Sequence, residues 1–213
     1  MQTIRFSDHD ILKMETRLRA AFINSLSGFK SGSLIGSIDS KGNTNLAIFS
    51  SVIHIGSNPA LVGFINRPDT AVRHTLENIM ETNCFTINHI HQAIYKKAHQ
   101  TSARYPKDIS EFEAAGLTTE FSTLLPAPYV KESRIKYGLE FAERHDLKIN
   151  GTVLIIGKVV EIIFPENCLL PHGALDIEQA ETIAISGLDS YHSTNQLSRL
   201  TYAKPEKVPD KII

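Results

Sequence analysis

The sequence predicts a mainly β fold, an antiparallel barrel with a few interspersed helices, on three observations. Between residues 33 and 90 the runs "SLIGSID", "TNLAIFSSVIHIG", "ALVGFIN" and "CFTINHI" follow one another, separated by the turn signals "SKGN" and "SNP" and by one longer stretch. Several of these runs are apolar at consecutive positions, as strands buried on both faces are. No G-x-G-x-x-G or P-loop follows a strand, which argues against a doubly wound parallel sheet and leaves neither standard helix-terminus phosphate site.

The elements are justified in chain order. In "FSDHDILKMETRLRAAFINSLSGFK", Ile11, Met14, Leu18 and Phe22 recur at three- and four-residue intervals, with Ser7 or Asp8 placed to cap and Gly28 to terminate. This pattern predicts an amphipathic helix that docks by one face. Hairpin-linked strands follow, and then Pro68 to Thr82, where Val72, Leu76 and Ile79 at helical spacing predict a short helix covering one mouth of the sheet. After His91 comes a polar, irregular region in which Ser110 and Glu113 are spaced as a capping box for a short helix. "NGTVLIIGKVVEIIF", Asn150 to Phe164, is the strongest strand, with a bend expected at Gly157. "LDIEQAETI" is a weaker helical stretch, and no repeat or low-complexity tract appears.

Composition bounds the function. The 213 residues contain no Pro/Gly/Ser-rich linker, so a single domain over 1–213 is expected. A formal net charge of −1 gives no basic field for nucleic acid or for an anionic membrane. The charged start, "MQTIRFSDHD", lacks the apolar segment of a secretory signal and no later run reaches transmembrane length, so a cytoplasmic location is expected. Cys84 and Cys168 sit far apart in apolar surroundings and read as small buried hydrophobes.

Two hydroxyls, Ser50 and Ser51, interrupt the apolar run "NLAIFSSVIHI". Buried hydroxyls need partners, either backbone at a bulge or strand end, or a ligand. With strand alternation, Asn45, Ala47, Phe49 and Ser51 share one face and Leu46, Ile48 and Ser50 the other. Arg67, ending the next strand in "NRP", and the pair His74 and Thr75 add the charge and donors that an anionic ligand requires.

The ordered series "IGSID", "NLAIFSS", "FINRP" and "HTLENI" resembles the FMN-binding split-barrel family of flavin reductase-like proteins. The likeness continues through "AHQTSARYPKDISEFEAAGL", "APYVKES" and "VLIIGKVVEI". Each motif alone is weak and their order makes the match specific. The resemblance implies a split β-barrel of about six strands in a Greek-key order with a few flanking helices, paired as a homodimer with FMN in a groove at the interface. Ser50 and Ser51 would then bind the phosphate and ribityl end, Arg67 would neutralise phosphate charge and Thr75 would add a hydroxyl. Gly36, Ser37, Ile38, Asn45 and Ala47 would approach the isoalloxazine, with Asn66 and the "NHIH" segment as further contacts.

The resulting expectation is an oxidoreductase that carries hydride or electrons through bound FMN, with no side chain required as a catalytic acid or base. The donor is left open between NADH or NADPH and a redox protein. Family members that use NAD(P)H commonly place a His near the start of the long late strand, where this sequence has Asn150, Gly151 and Thr152. The alternatives are a non-catalytic flavin-binding or sensing module and a metal protein built on His89, His91 and His99. Tyr191 and Tyr202 read either as rings over the flavin or dimer seam or as ordinary partly buried tyrosines.

Overall fold

The computed structural model of the chain describes residues 2–68 and 74–212. Helices α1 (Asp8–Lys13) and α2 (Thr16–Ser25) precede β1 (Lys30–Ser31), β2 (Ser33–Ile38), β3 (Thr44–Phe49), β4 (Ile53–Ser57) and β5 (Ala60–Asn66). Then come α3 (His74–Thr82), β6 (Cys84–His89), α4 (Tyr95–Gln100), α5 (Glu111–Ala115), β7 (Thr119–Glu120) and β8 (Tyr129–Val130). The long hairpin of β9 (Lys136–Leu147) and β10 (Thr152–Ile163) follows, then the short strands β11 (Ala184–Ser186), β12 (Ser190–His192), β13 (Arg199–Leu200) and β14 (Lys211–Ile212).

Seven strands form one antiparallel sheet in the order β3-β2-β6-β9-β10-β5-β4. Its two edge strands, β3 and β4, are consecutive in the chain and only Ser50, Ser51 and Val52 separate them. Laid flat, seven strands would hold their edges roughly 29 Å apart at about 4.8 Å per spacing. Phe49 to Ile53 spans at most about 14 Å at about 3.5 Å per residue. The sheet must therefore curl until its edges approach, giving a barrel split along the β3/β4 seam. The seventh strand arises because Thr44 to Gly56, which reads as one run, breaks at Ser50 and places its halves on opposite edges.

Two apolar clusters use the two faces of the central strands. Ile35, Phe64, Ile79, Phe85, Ile87, Leu139 and Ile155 fill the barrel, with Phe64 set edge-on to Phe49 (4.9 Å) and Phe85 (5.5 Å). Leu34, Leu46, Ile90, Phe112, Val130 and Ile185 pack outside it, beneath α4, α5 and β11. Adjacent residues such as Leu34 and Ile35 point to opposite faces, so β2 is buried on both faces, and its serines Ser33 and Ser37 are buried with it. Gly36 is required by a close approach: a Cβ there would lie 2.2 Å from the Pro128 carbonyl oxygen and 2.6 Å from Thr86 Oγ1. The bend in β10 falls where it was expected, at a bulge between Ile156 and Gly157.

Three local expectations are corrected. The N-terminal helix breaks at Met14 into α1, with a Ser7–Asp10 capping box, and α2, capped by Glu15, and its apolar face is only half-buried at Ile11, Met14 and Phe22 and exposed at Leu18. Ser110 does not cap α5, because its hydroxyl bonds Thr44 Oγ1 at 2.8 Å. The stretch 175–183 forms a turn held by Asp176, whose carboxylate accepts the Gln179 amide, and not a helix. Val72 lies outside the described residues, whereas Leu76 and Ile79 of α3 are buried as expected. Cys84 and Cys168 are buried and free. Among the described residues no helix is long and apolar enough to cross a membrane.

Candidate functional site

The site grows from the open edge of β3. Because β3 pairs with β2 and with no other strand among the described residues, alternate amides along it point out of the sheet. The Leu46 N–H donates to Glu111 Oε2 at 3.0 Å, and by alternation the Ile48 amide points the same way. Beside this edge lies a cavity of about 450 Å³, within the range of small-molecule sites. Its walls come from β3 and its exit (Asn45 to Ser51), the end of β5 (Ile65, Asn66, Arg67), the start of α3 (His74, Thr75), the segment His99 to Tyr105, Glu111 and Tyr191.

Seven of the ten expected site residues line this cavity: Asn45, Ala47, Ser50, Ser51, Asn66, Arg67 and Thr75. Gly36, Ser37 and Ile38 do not, because β2 stands one strand behind β3. Ser37 instead belongs to an interior network, where its hydroxyl accepts from Asn78 Nδ2 (3.2 Å) and Asn45 Nδ2 (3.4 Å). The two serines that interrupt the apolar run divide their roles. Ser51 Oγ donates to the Ile65 carbonyl (3.0 Å) and accepts the Ile65 N–H (3.2 Å), so it replaces a backbone rung where the strand breaks. Its proton is committed. The Ser50 hydroxyl has no hydrogen-bond partner among the described residues, and Thr75 Oγ1, which accepts from Asn45 Nδ2 at 2.9 Å, keeps its proton for another acceptor.

Charge on the cavity is uneven. Arg67 and Arg104 have no hydrogen-bond or ion-pair partner among the described residues, and both are exposed at its rim. Glu111 is 7% exposed in the wall, and burial pushes its carboxyl above the usual range against the opposing pull of the Leu46 amide. Tyr191 joins its hydroxyl to His99 Nδ1 at 2.7 Å and sets its ring 5.4 Å from Tyr95, so this tyrosine is a wall of the cavity. Burial raises its pKa. Tyr202 is 89% exposed and takes no part.

The wall residues Thr101 to Tyr105 are not among the expected site residues, although hydroxyls and an arginine in a long irregular stretch are a signal for a site. Gln100 Nε2 donates to the Tyr105 hydroxyl at 2.8 Å and braces it. The three histidines weighed as metal ligands have separate partners. His89 faces Thr182, His91 Nε2 meets the Glu132 carbonyl at 2.9 Å, and His99 meets Tyr191. Among the described residues no group of three His, Cys, Asp or Glu is gathered to hold a metal ion. Asn150, Gly151 and Thr152 form the β9–β10 turn outside the cavity, with Gly151 at φ +73° and a Cβ there 3.5 Å from Pro68, the neighbour of Arg67.

Comparison with known proteins agrees with this architecture. The model of the flavin reductase like domain matches residues 26–175. An uncharacterized protein of Aquifex aeolicus is 30% identical over 139 residues, 62% of this chain and 70% of its own length. A solved structure from Shewanella frigidimarina, described provisionally as a flavin reductase with a split barrel domain, is 54% identical, with a TM-score of 0.91 over 94% of this chain and 100% of its own. Component B of nitrilotriacetate monooxygenase from Bacillus cereus shares the fold at 20% identity, with a TM-score of 0.82 over 94% of this chain and 100% of its own. With its curled seven-stranded sheet and a cavity at the open β3 edge, the chain belongs to the flavin reductase-like family.

Proposed function

We propose that the protein is an FMN-binding oxidoreductase of the flavin reductase type, working as a homodimer. Bound FMN would supply the redox chemistry, taking hydride or electrons from a nicotinamide or a redox protein and passing them to an acceptor. The observation that carries this reading is the pair Arg67 and Arg104, two guanidiniums without partners among the described residues on one cavity rim. A phosphomonoester dianion supplies the charge and the acceptors that such a pair lacks. The Ser50 and Thr75 hydroxyls are donors beside it, and the Ile48 edge amide next to the small side chain of Ala47 suits the polar edge of a flat ring.

Dimerisation is supported by what surrounds the seam. Among the described residues edge strand β4 pairs on one side only, and it exposes Ile53 and Ile55, two and four residues after the cavity residue Ser51. An apolar strand edge of this kind calls for a cover, and a second copy would both cover it and close the groove.

The turn at Asn150 to Thr152 offers no imidazole to seat a nicotinamide, so turnover with NADH or NADPH is slow compared with dedicated reductases. The same observation favours a second reading, a flavin-binding module without rapid turnover. Equilibrium titration tests the shared core of both: FMN binds more tightly than riboflavin, and light scattering of the complex gives a dimer mass. Equal affinity for the two ligands, or a monomer that retains FMN, overturns the assignment.

A further inference from the structure

Behind the cavity, and sharing Asn45, His74 and Glu111 with it, lies a second chamber of about 10 Å³. That volume is about the space of one water molecule. Asn78, only 2% exposed, lines it, and Asn78 Oδ1 has no hydrogen-bond partner among the described residues. Its Nδ2 donates to Ser37 Oγ at 3.2 Å. Exchanging the amide oxygen and nitrogen would leave an unpartnered donor in the same place, so either orientation presents one bare polar atom. Such an atom is destabilising unless something bonds to it, and a space of this size lined by polar groups suits one water.

Glu111 stands between the two spaces. It is buried, its Oε2 accepts the Leu46 amide, and it lines both the chamber and the cavity. We propose that the chamber is a one-water proton inlet: a water held by Asn78 touches the Glu111 carboxyl, which exchanges protons between that water and the cavity. In each passage the Glu111 O–H bond breaks and its proton goes to a solvent molecule in the cavity. The carboxylate then takes a proton from the chamber water, and the hydroxide so formed takes one from bulk solvent beside the exposed Lys107, so the chamber ends with the charge it began with. The titratable groups facing the chamber are Asp39, His74 and Lys107, and those on the cavity side are Arg67, His99, Arg104, Tyr105 and Tyr191. Burial raises the pKa of the Glu111 carboxyl, against the opposing pull of the Leu46 amide.

The inlet takes its purpose from the cavity being a ligand site, but its tests use ligand-free protein, so their failure bears on the inlet alone. In a crystal structure of the unmodified protein, an ordered solvent peak within hydrogen-bond distance of both the Asn78 amide and the Glu111 carboxyl is expected. A chamber without solvent, or an Asn78 Oδ1 bonded to protein, overturns the proposal. In infrared spectra, Glu111→Gln, which keeps an acceptor for the Leu46 amide, removes one carboxylic C=O band. On transfer to D2O that band shifts at once in the unmodified protein, and in Asn78→Leu the exchange slows roughly tenfold, the equivalent of one lost hydrogen bond. No band lost in Glu111→Gln, or equal exchange in Asn78→Leu, contradicts it. Should Asn78→Leu fail to fold, the solvent peak and the band of the unmodified protein decide the matter.

Discussion

The packed core and the β3 edge treat polar groups in opposite ways. On the outer face of the central strands Asn88 donates to the Leu34 carbonyl and accepts the Val130 amide and Thr86 donates to the Pro128 carbonyl, while Phe64, Phe85 and Ile87 on the inner face are wholly buried. At the edge, Arg67, Arg104 and the Ser50 hydroxyl have no partner among the described residues. A fold that satisfies its buried groups this thoroughly and leaves cations and a donor bare in one concavity is built to be completed there by something else. Substitutions in the first region should therefore change stability, and those in the second should change binding.

The largest effect belongs to the interior. Phe64→Ala removes the ring between Phe49 and Phe85 and is expected to cost about 3–5 kcal/mol by denaturant unfolding. A loss below 1 kcal/mol would show that the barrel core is not closely packed. Lowering the pH probes the same region. Burial depresses the His89 pKa from 6.5 to about 4, so between those values the unfolded chain binds a proton that the folded one refuses. Stability is intact above pH 6.5 and falls as pH drops toward 4, by about 1.4 kcal/mol per pH unit for this group. His91, also depressed by burial, acts in the same direction. His89→Gln should flatten that slope, and an unchanged pH profile would contradict the burial argument.

The two adjacent serines sharpen the comparison. Ser51→Ala loses both bonds to Ile65 and is expected to cost about 1–2 kcal/mol of stability. Ser50→Ala should leave stability within about 0.5 kcal/mol and weaken FMN by about 0.5–1.5 kcal/mol. Reversed outcomes would move the ligand contact from Ser50 to Ser51.

The same division explains what could be read from the sequence. Strands such as β2, β6 and β10 are legible because their apolar runs persist wherever the neighbours lie. The break at Ser50 is not, since the alternation continues through it and only the identity of the neighbouring strand changes. The α1 and α2 pattern predicts an apolar face correctly but carries no information on whether a surface exists to cover it. Most of the cavity residues follow from the order of motifs along β3, β5 and α3. Gly36 to Ile38 stand outside it because sequence order does not reveal that β2 lies behind β3. Arg104 and Glu111 arrive from a segment without periodicity, through contacts that only the folded chain creates.

The most direct measurement of the central claim is the FMN affinity of Arg67→Ala against the unmodified protein, with riboflavin titrated in parallel. Removing this guanidinium from the cavity rim is expected to weaken FMN by about 1.5–3 kcal/mol, the range for hydrogen bonds to a charged group, and to leave riboflavin unchanged. An Arg67→Ala variant that binds FMN as tightly as the unmodified protein would contradict the account.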